Sequence, residues 1–264
     1  MTILISTTSG GVGKIGYHNL FEDSTVTVSA STEATGYLKE NAYDGLAYDW
    51  WKPTATGDSY IRASFGAAKT ANYMAIWGHD LSTNGSSAKP QYSTDGGSTW
   101  NDAASAKMPS DNNTLFWSWD DIDAADWQCL ITNPSGLSVI AGVQIGQALT
   151  LPYNMSTGFA PPSLAPTVNL KTSQSESGAF IGGRVLNKGI MGKIDMSDID
   201  PAWVRTYWSP FVTHAQTPKV FVLAWNNQDY PTEAVLCWAK KQIPPPSYSS
   251  PTLMKISLDF EGNL

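Results

Sequence analysis

The sequence predicts a mainly β protein, with a β-sandwich in the first part and a smaller β-rich α+β part carrying one helix in the second. Three observations carry this. Short runs alternate apolar and polar residues, as in Tyr60-Ile61-Arg62-Ala63-Ser64-Phe65, the period of a half-buried strand. Turn formers are plentiful, with 22 glycines and 16 prolines in 264 residues. Charged residues reach only 15%, against roughly 25% in an average soluble domain, while Trp and Tyr number 11 each. Few charges with many turns and aromatics point to a loop-rich β protein, and abundant aromatics suit interfaces.

In chain order, Met1 to Thr8 is expected as a strand or an arm. Gly10-Gly11-Val12-Gly13-Lys14 imitates a phosphate-binding loop, but Ile15 stands where Mg²⁺ binding needs Ser or Thr. The next periodic run, Thr25-Val26-Thr27-Val28-Ser29, alternates as a strand, whereas a phosphate loop needs a helix N-terminus. The segment is therefore expected as a glycine turn. Asp44-Gly45 is a turn, Ser59 to Phe65 a strand, Tyr73 to Trp77 a second and Pro90 to Ser93 a third. Asp95-Gly96-Gly97 then closes a tight hairpin toward Trp100. Thr114 to Trp119 is a further strand, Asp120 to Asp126 an acidic loop, and Trp127 to Thr132 and Val139 to Ala148 complete two packed sheet faces.

In this order Asn41-Ala42-Tyr43-Asp44-Gly45, Trp50-Trp51, Tyr60 to Gly66, Tyr73 to Gly78 and Gln91-Tyr92-Ser93-Thr94-Asp95-Gly96-Gly97-Ser98-Thr99-Trp100 resemble the discoidin, or coagulation-factor type C, family of galactose-binding-like domains. The resemblance covers roughly residues 20–150 and departs at Ser64, where the family usually has Asp. It implies a jelly roll, a binding role rather than catalysis, and a structural Ca²⁺ near the Asp-Gly turn.

Phe159-Ala160-Pro161-Pro162-Ser163-Leu164-Ala165-Pro166 is a proline-rich linker. The expected division is thus a sandwich over 1–158, a linker over 159–166 and a second domain over 167–264. In that domain Val168 to Thr172 and Val185 to Met196 are strands around Gly182-Gly183. Asp200-Pro201 starts a helix, with Asp capping and Pro at the first position, and Pro210 kinks it before His214. Trp203, Tyr207 and Phe211 are expected on its buried face, with Trp208 off it. Val220 to Trp225 is a buried strand, Glu233 to Ala239 pairs back to it, and Thr252 to Gly262 closes the chain as a strand expected at a sheet edge.

Ser175-Glu176-Ser177-Gly178-Ala179-Phe180-Ile181-Gly182-Gly183-Arg184-Val185, Asp200 to Arg205, Pro210 to Ala215 and the terminal Ser257-Leu258-Asp259-Phe260-Glu261-Gly262 resemble bacteriophage tail proteins of the distal-tail or tail-hub kind. This implies a structural component of a tail (distal tail, baseplate or minor tail protein) that forms a ring with itself through residues 167–264 and meets neighbouring tail proteins. Its jelly roll then contacts partner proteins or host glycans. The other reading is a carbohydrate-binding module of a cell-surface or glycan-degrading system.

A net charge of −7 without a basic run argues against nucleic acid. No apolar stretch reaches the roughly 18 residues of a membrane helix, and Met1 to Ser6 lacks the pattern of a secretory signal. The expectation is synthesis in a host cytoplasm and residence in a virion. Cys129 and Cys237, in apolar strands, are expected as buried free thiols.

No catalytic constellation is apparent: His18, His79 and His214 have no neighbouring ligands at metal spacing, and Asp120, Asp121, Asp123 and Asp126 are expected as a solvated loop rather than as paired catalytic acids. The chain is therefore expected not to be an enzyme. For a sugar, the candidates are Trp50, Trp51, Arg62 and His79, aromatics and polar groups on the sandwich loops. For Ca²⁺, Asn41, Asp44 and Asp49 offer hard oxygens in one loop. The competing readings are core packing for the tryptophans and an ordinary Asx turn for Asp44. No other cofactor is expected.

Overall fold

The computed structural model of the chain describes residues 11–156, 158–164, 166–217 and 219–263. The strand or arm expected at Met1 to Thr8 lies outside the described residues. Among the described residues the protein is mainly β, with two antiparallel sheets, one longer helix and three short 3-10 turns.

The first sheet is built on β3 (Gly57–His79) and β6 (Leu115–Asn133), with β2 (Thr27–Ala30), β4 (Ser87–Ser93), β5 (Asn101–Asp102) and β7 (Ile140–Gly146) along them. Its order is β2-β3-β6-β4-β5, with β7 also on β3. The two strands expected around Tyr60 and Tyr73 are thus one long strand, and so are those around Phe116 and Trp127. The acidic segment expected as a loop between the latter is part of β6, with Ile122, Asp123 and Ala124 paired to Ala71, Thr70 and Lys69. Where the pairing shifts, residues 65–68 of β3 face only Ala125. An excess of residues on one strand bends the pair. The bend lets both halves of the sheet share one core, in which Ile61, Ala63, Met74, Ile76, Trp117, Trp127, Cys129 and Val143 are sealed from solvent.

The second sheet has β1 (Lys14–Gly16), β8 (Ala148–Thr150), β9 (Pro166–Gln174), β10 (Phe180–Ile199), β11 (Phe221–Ala224), β12 (Ala234–Ala239), β13 (Ser247–Tyr248) and β14 (Met254–Asn263). Its order is β8-β1-β11-β12-β14-β10-β9, with β13 on β14. Two findings differ from the sequence reading. Lys14 opens a strand rather than ending a glycine turn. β1 and β8, which precede the linker, pair within the second sheet, so the division expected at 159–166 separates stretches of sequence that share one sheet. In the linker itself Pro162–Leu164 forms a 3-10 turn and β9 starts at Pro166. The closing strand β14 lies between β12 and β10 rather than at an edge, because Met254, Ile256, Leu258 and Phe260 all find cover in the core.

That cover is helical. α1 (Pro201–Trp203), a π-helical turn (Val204–Trp208) and α2 (Ser209–Gln216) follow one another directly. Asp200 caps the start, its carboxylate accepting from the Ala202 N–H at 2.7 Å. Pro210 has no N–H for the carbonyl of Thr206, and its ring would crowd that carbonyl in an ordinary turn; the widened π turn before it relieves both. The buried face is Val204, Trp208, Phe211 and Ala215, spaced 4-3-4. Of the face expected from Trp203, Tyr207 and Phe211, only Phe211 is fully buried, and Trp208, expected off it, is 0% exposed. At about 100° per residue, Trp203 and Tyr207 fall on the flank of the 4-3-4 stripe.

The two sheets meet through Tyr73, Ala75, Trp77, Phe116 and Ala141 on one side and Val222, Ala224, Ala234 and Leu236 on the other. Close approach within this joint depends on glycine: a Cβ at Gly142 would stand 1.8 Å from the Trp77 ring, and one at Gly16 2.3 Å from that of Tyr73. Cys129 and Cys237 are buried free thiols in separate cores, each pushed well above its ordinary pKa by burial.

Candidate functional site

The candidates read from the sequence do not converge. Trp51 is 0% exposed, part of the sandwich core, and its Nε1 donates to Thr32 O at 3.0 Å. It pairs with one side of Ile140 while His79 pairs with the other. His79 is 5% exposed; its Nδ1 accepts from the Leu81 N–H and Nε2 lies 2.8 Å from Asn113 O, so Nε2 carries the proton. Burial holds its pKa below the ordinary value, which keeps the ring neutral. Trp51 and His79 therefore hold the loops together and cannot touch a ligand. Trp50 stays partly exposed, and its carbonyl accepts from Asn41 Nδ2 at 3.0 Å.

Arg62 stands apart, on the outer face of β3. Its guanidinium lies 4.4 Å from the ring centroids of both Tyr60 and Trp100. It donates to Gln128 Oε1, Gln128 Nε2 donates to Gln91 Oε1 at 2.7 Å, Gln91 Nε2 donates to Asp102 Oδ1 at 2.7 Å, and Lys89 donates to Asp102. This polar chain crosses four strands and fixes the hairpin that carries Trp100.

The loop read for Ca²⁺ has the chemistry of a hard-cation site. Asp44 Oδ1 accepts from the Leu46 N–H at 2.8 Å, forming the Asx turn. Burial, with the Asp49 charge beside it, lifts the Asp44 carboxyl above its ordinary value. Asp49 Oδ1 is buried with no hydrogen-bond partner, and Asn41 turns its amide nitrogen to Trp50 O, leaving its oxygen over. Two carboxylates, one of them with an orphaned oxygen, and an amide oxygen fit Ca²⁺.

An open groove of about 620 Å³ lies between the sandwich and the helix. Its floor is β8, with the Leu149 side chain, and the adjoining Leu151. One wall carries Trp203, Thr206 and Tyr207, presented by the helix flank and the π turn. Trp203 and Tyr207 rings sit 6.1 Å apart at 41°, and Tyr207 is 54% exposed. Tyr17 continues the aromatic surface, braced edge-on by Phe211 at 5.5 Å and His214 at 5.3 Å; burial raises its pKa and keeps the hydroxyl protonated. The other wall is polar, with Asn72, Asp121 and Gln147. Asn72 is fixed on both sides, donating to Asp121 Oδ1 at 2.8 Å and accepting from the Ala148 N–H at 2.8 Å. Aromatic faces opposite fixed hydrogen-bonding groups can hold a ligand with apolar faces and hydroxyl edges.

None of these groove residues is among the sugar candidates read from the sequence, because Tyr17, Asn72, Asp121 and Gln147 come together only through sheet pairing. The local signal that existed was the Trp203–Tyr207 spacing.

No family model matches the chain, and no curated protein does. Among solved structures, a Ruminococcus gnavus GH29 fucosidase in complex with fucose matches at 14% identity and TM-score 0.43, over 50% of this chain and 27% of that one. The chain thus spans about a quarter of that enzyme's length. CpGH89CBM32-5 from Clostridium perfringens, in complex with GalNAc-β-1,3-galactose, matches at 13% identity and TM-score 0.40, over 46% of this chain and 95% of that one. Chitosan-binding module 1 of a Paenibacillus sp. IK-5 chitosanase/glucanase matches at 21% identity and TM-score 0.39, over 48% and 98% of the respective chains.

Proposed function

We propose that the chain is a non-catalytic binding protein that holds a glycan in the groove between the sandwich and the helix. The observation that carries this is the facing of Tyr17, Trp203 and Tyr207 against Asn72, Asp121 and Gln147. Sugar rings stack their C–H faces on the aromatics while their hydroxyls meet the amides and the carboxylate. The Asn41–Asp44–Asp49 loop would hold a structural Ca²⁺ away from the ligand. Affinity electrophoresis through gels containing neutral polysaccharides tests the reading. Retardation by at least one polysaccharide is expected, with Trp203→Ala and Tyr207→Ala each weakening it about tenfold. Retardation that both substitutions leave unchanged would refute the groove.

A second reading, a self-assembling structural subunit such as a bacteriophage tail component, is favoured by a different observation. The outer parts of β9 and β10 project as an arm whose apolar side chains are exposed. The two readings are compatible, since one concerns the groove and the other the arm.

A further inference from the structure

Three departures from an ordinary helix meet in one short stretch. The turn over Val204–Trp208 is π-helical, with the Ser209 N–H reaching back to the Val204 carbonyl. Such turns are rare inside helices and recur at functional sites. Pro210 follows directly, exposed and inside the helical segment, and denies the Thr206 carbonyl the N–H that an α-helix would supply. Trp208, 0% exposed, keeps its indole N–H in the core without a hydrogen-bond acceptor among the described residues. Buried polar groups are ordinarily paired. The turns on either side are regular: Asp200 caps the start, and Ser209–Gln216 is α-helical.

The core does not require the wider turn. Its stripe of Val204, Trp208, Phe211 and Ala215 is spaced 4-3-4, which a plain α-helix buries equally well. The wider turn changes the residues beside the stripe. Each residue of a π turn advances by less than the roughly 100° of an α-helix. Trp208 and Phe211 are sealed in the core and fix the rotation of the segment. Trp203, ahead of the π turn, therefore stands at a different angle about the axis from the one an α turn would give it. Trp203, Thr206 and Tyr207 are the residues that this stretch contributes to the groove. Strain that the packing does not need, beside a groove whose wall it orients, points to the groove as its purpose.

We propose that Pro210 is a positioning residue of the groove. It forbids the α turn, and the π turn left in its place sets the angle at which Trp203 and Tyr207 meet a ligand. Pro210 does not line the groove and acts only through the turn. This inference rests on the glycan reading and adds to it a trade-off: the residue that shapes the wall holds the helix in a less stable form.

Pro210→Ala in the full chain tests this by amide exchange, melting temperature and affinity electrophoresis. The new amide at position 210 is expected to be protected from exchange, because it donates to the Thr206 carbonyl in a restored α turn. The melting temperature is expected to stay level or rise, since a proline leaves the helical segment. Binding to the polysaccharide that retards the unchanged chain is expected to weaken about tenfold. Weaker binding at undiminished stability is the signature of positioning, and a melting temperature that falls together with binding would make Pro210 a structural residue and overturn the proposal. Fast exchange at position 210 would show that packing, and not Pro210, holds the π turn. A protected amide with unchanged retardation would show that the wall does not depend on the turn. Retardation that Trp203→Ala weakens and Pro210→Ala does not would overturn this inference alone, whereas an unchanged chain that no polysaccharide retards would overturn the glycan reading and this inference with it.

Discussion

β3 with β6, and β9 with β10, are both long antiparallel pairs whose side chains alternate apolar and polar. In the first pair Ile61, Ala63, Trp127, Cys129 and Ile131 are at most 1% exposed; in the second, Val168, Leu170, Phe180 and Val185 are exposed. The period is the same and the outcome opposite. Alternation decides which face of a strand pair is apolar, and a second layer decides whether that face is covered. In the first pair the excess residues at 65–68 bend the sheet over its own core, so the pair makes its own second layer. In the second sheet the helix covers the middle strands, and the arm runs past it.

The largest effect that follows is a contrast in stability. Trp127 packs against Trp119 and Tyr92 and donates from Nε1 to Lys69 O. Trp127→Ala is expected to cost about 3–5 kcal/mol in chemical denaturation, through lost packing and the cavity left behind. Leu170→Ala on the arm is expected to cost the monomer under about 0.5 kcal/mol, as at most exposed positions. The measurement belongs at concentrations where the chain is monomeric. Equal costs at the two positions would show that the arm is covered from within the same chain.

The joint between the sheets is the next test. Trp77 can lie flat against β7 only because Gly142 has no side chain. Gly142→Ala is expected to push the ring toward β11 and β12 and to cost about 1–3 kcal/mol by overpacking. The same substitution at Gly182 on the arm, where an added Cβ meets nothing within 4 Å, is expected to be near neutral or mildly stabilising. An indifferent Gly142→Ala would mean that the two sheets are not held together through Trp77.

What the sequence showed and what it hid follow the same physics. The period-two runs, the Asp95 hairpin, the Asp200-Pro201 helix start and the apolar face of β14 were legible because each depends on residues within one or two turns or strands. The fusion of neighbouring runs into β3 and β6 was not, since it depends on a bend and on pairing between residues about 60 apart in sequence. The membership of β1 and β8 in the second sheet was hidden for the same reason, and with it the groove they help to form. Trp51 and His79 carried the right residue types for a sugar site, but burial is a property of the assembled layers and not of the residue type.

The smallest expected effect distinguishes the turns that close the hairpins. The turn after β4 is held by a carboxylate: Asp95 accepts from the Ser98 and Thr99 N–H groups at 3.1 and 2.9 Å, from Thr99 Oγ1 at 2.6 Å and from Ser93 Oγ at 2.7 Å. The Thr99 hydroxyl contributes most to lowering the Asp95 pKa, to about 2 from an ordinary 3.8. The turn of the arm is held by neutral groups, with Ser175 Oγ accepting from the Ala179 N–H at 3.0 Å and Gly178 at φ 83°. A carboxyl with a depressed folded pKa stabilises fully above its unfolded value and ceases to do so as pH falls through the folded one. The Asp95 turn is therefore expected to loosen between 3.8 and about 2, while the Ser175 turn is indifferent to acid in that window. Amide hydrogen exchange, corrected for its intrinsic pH dependence, measures this directly. Protection at Ser98 and Thr99 should fall on acidification relative to Ala179, and Asp95→Asn should remove that pH dependence by leaving no carboxylate to titrate. Parallel loss at both turns would mean that acid acts on the whole fold and that Asp95 has no special share in it.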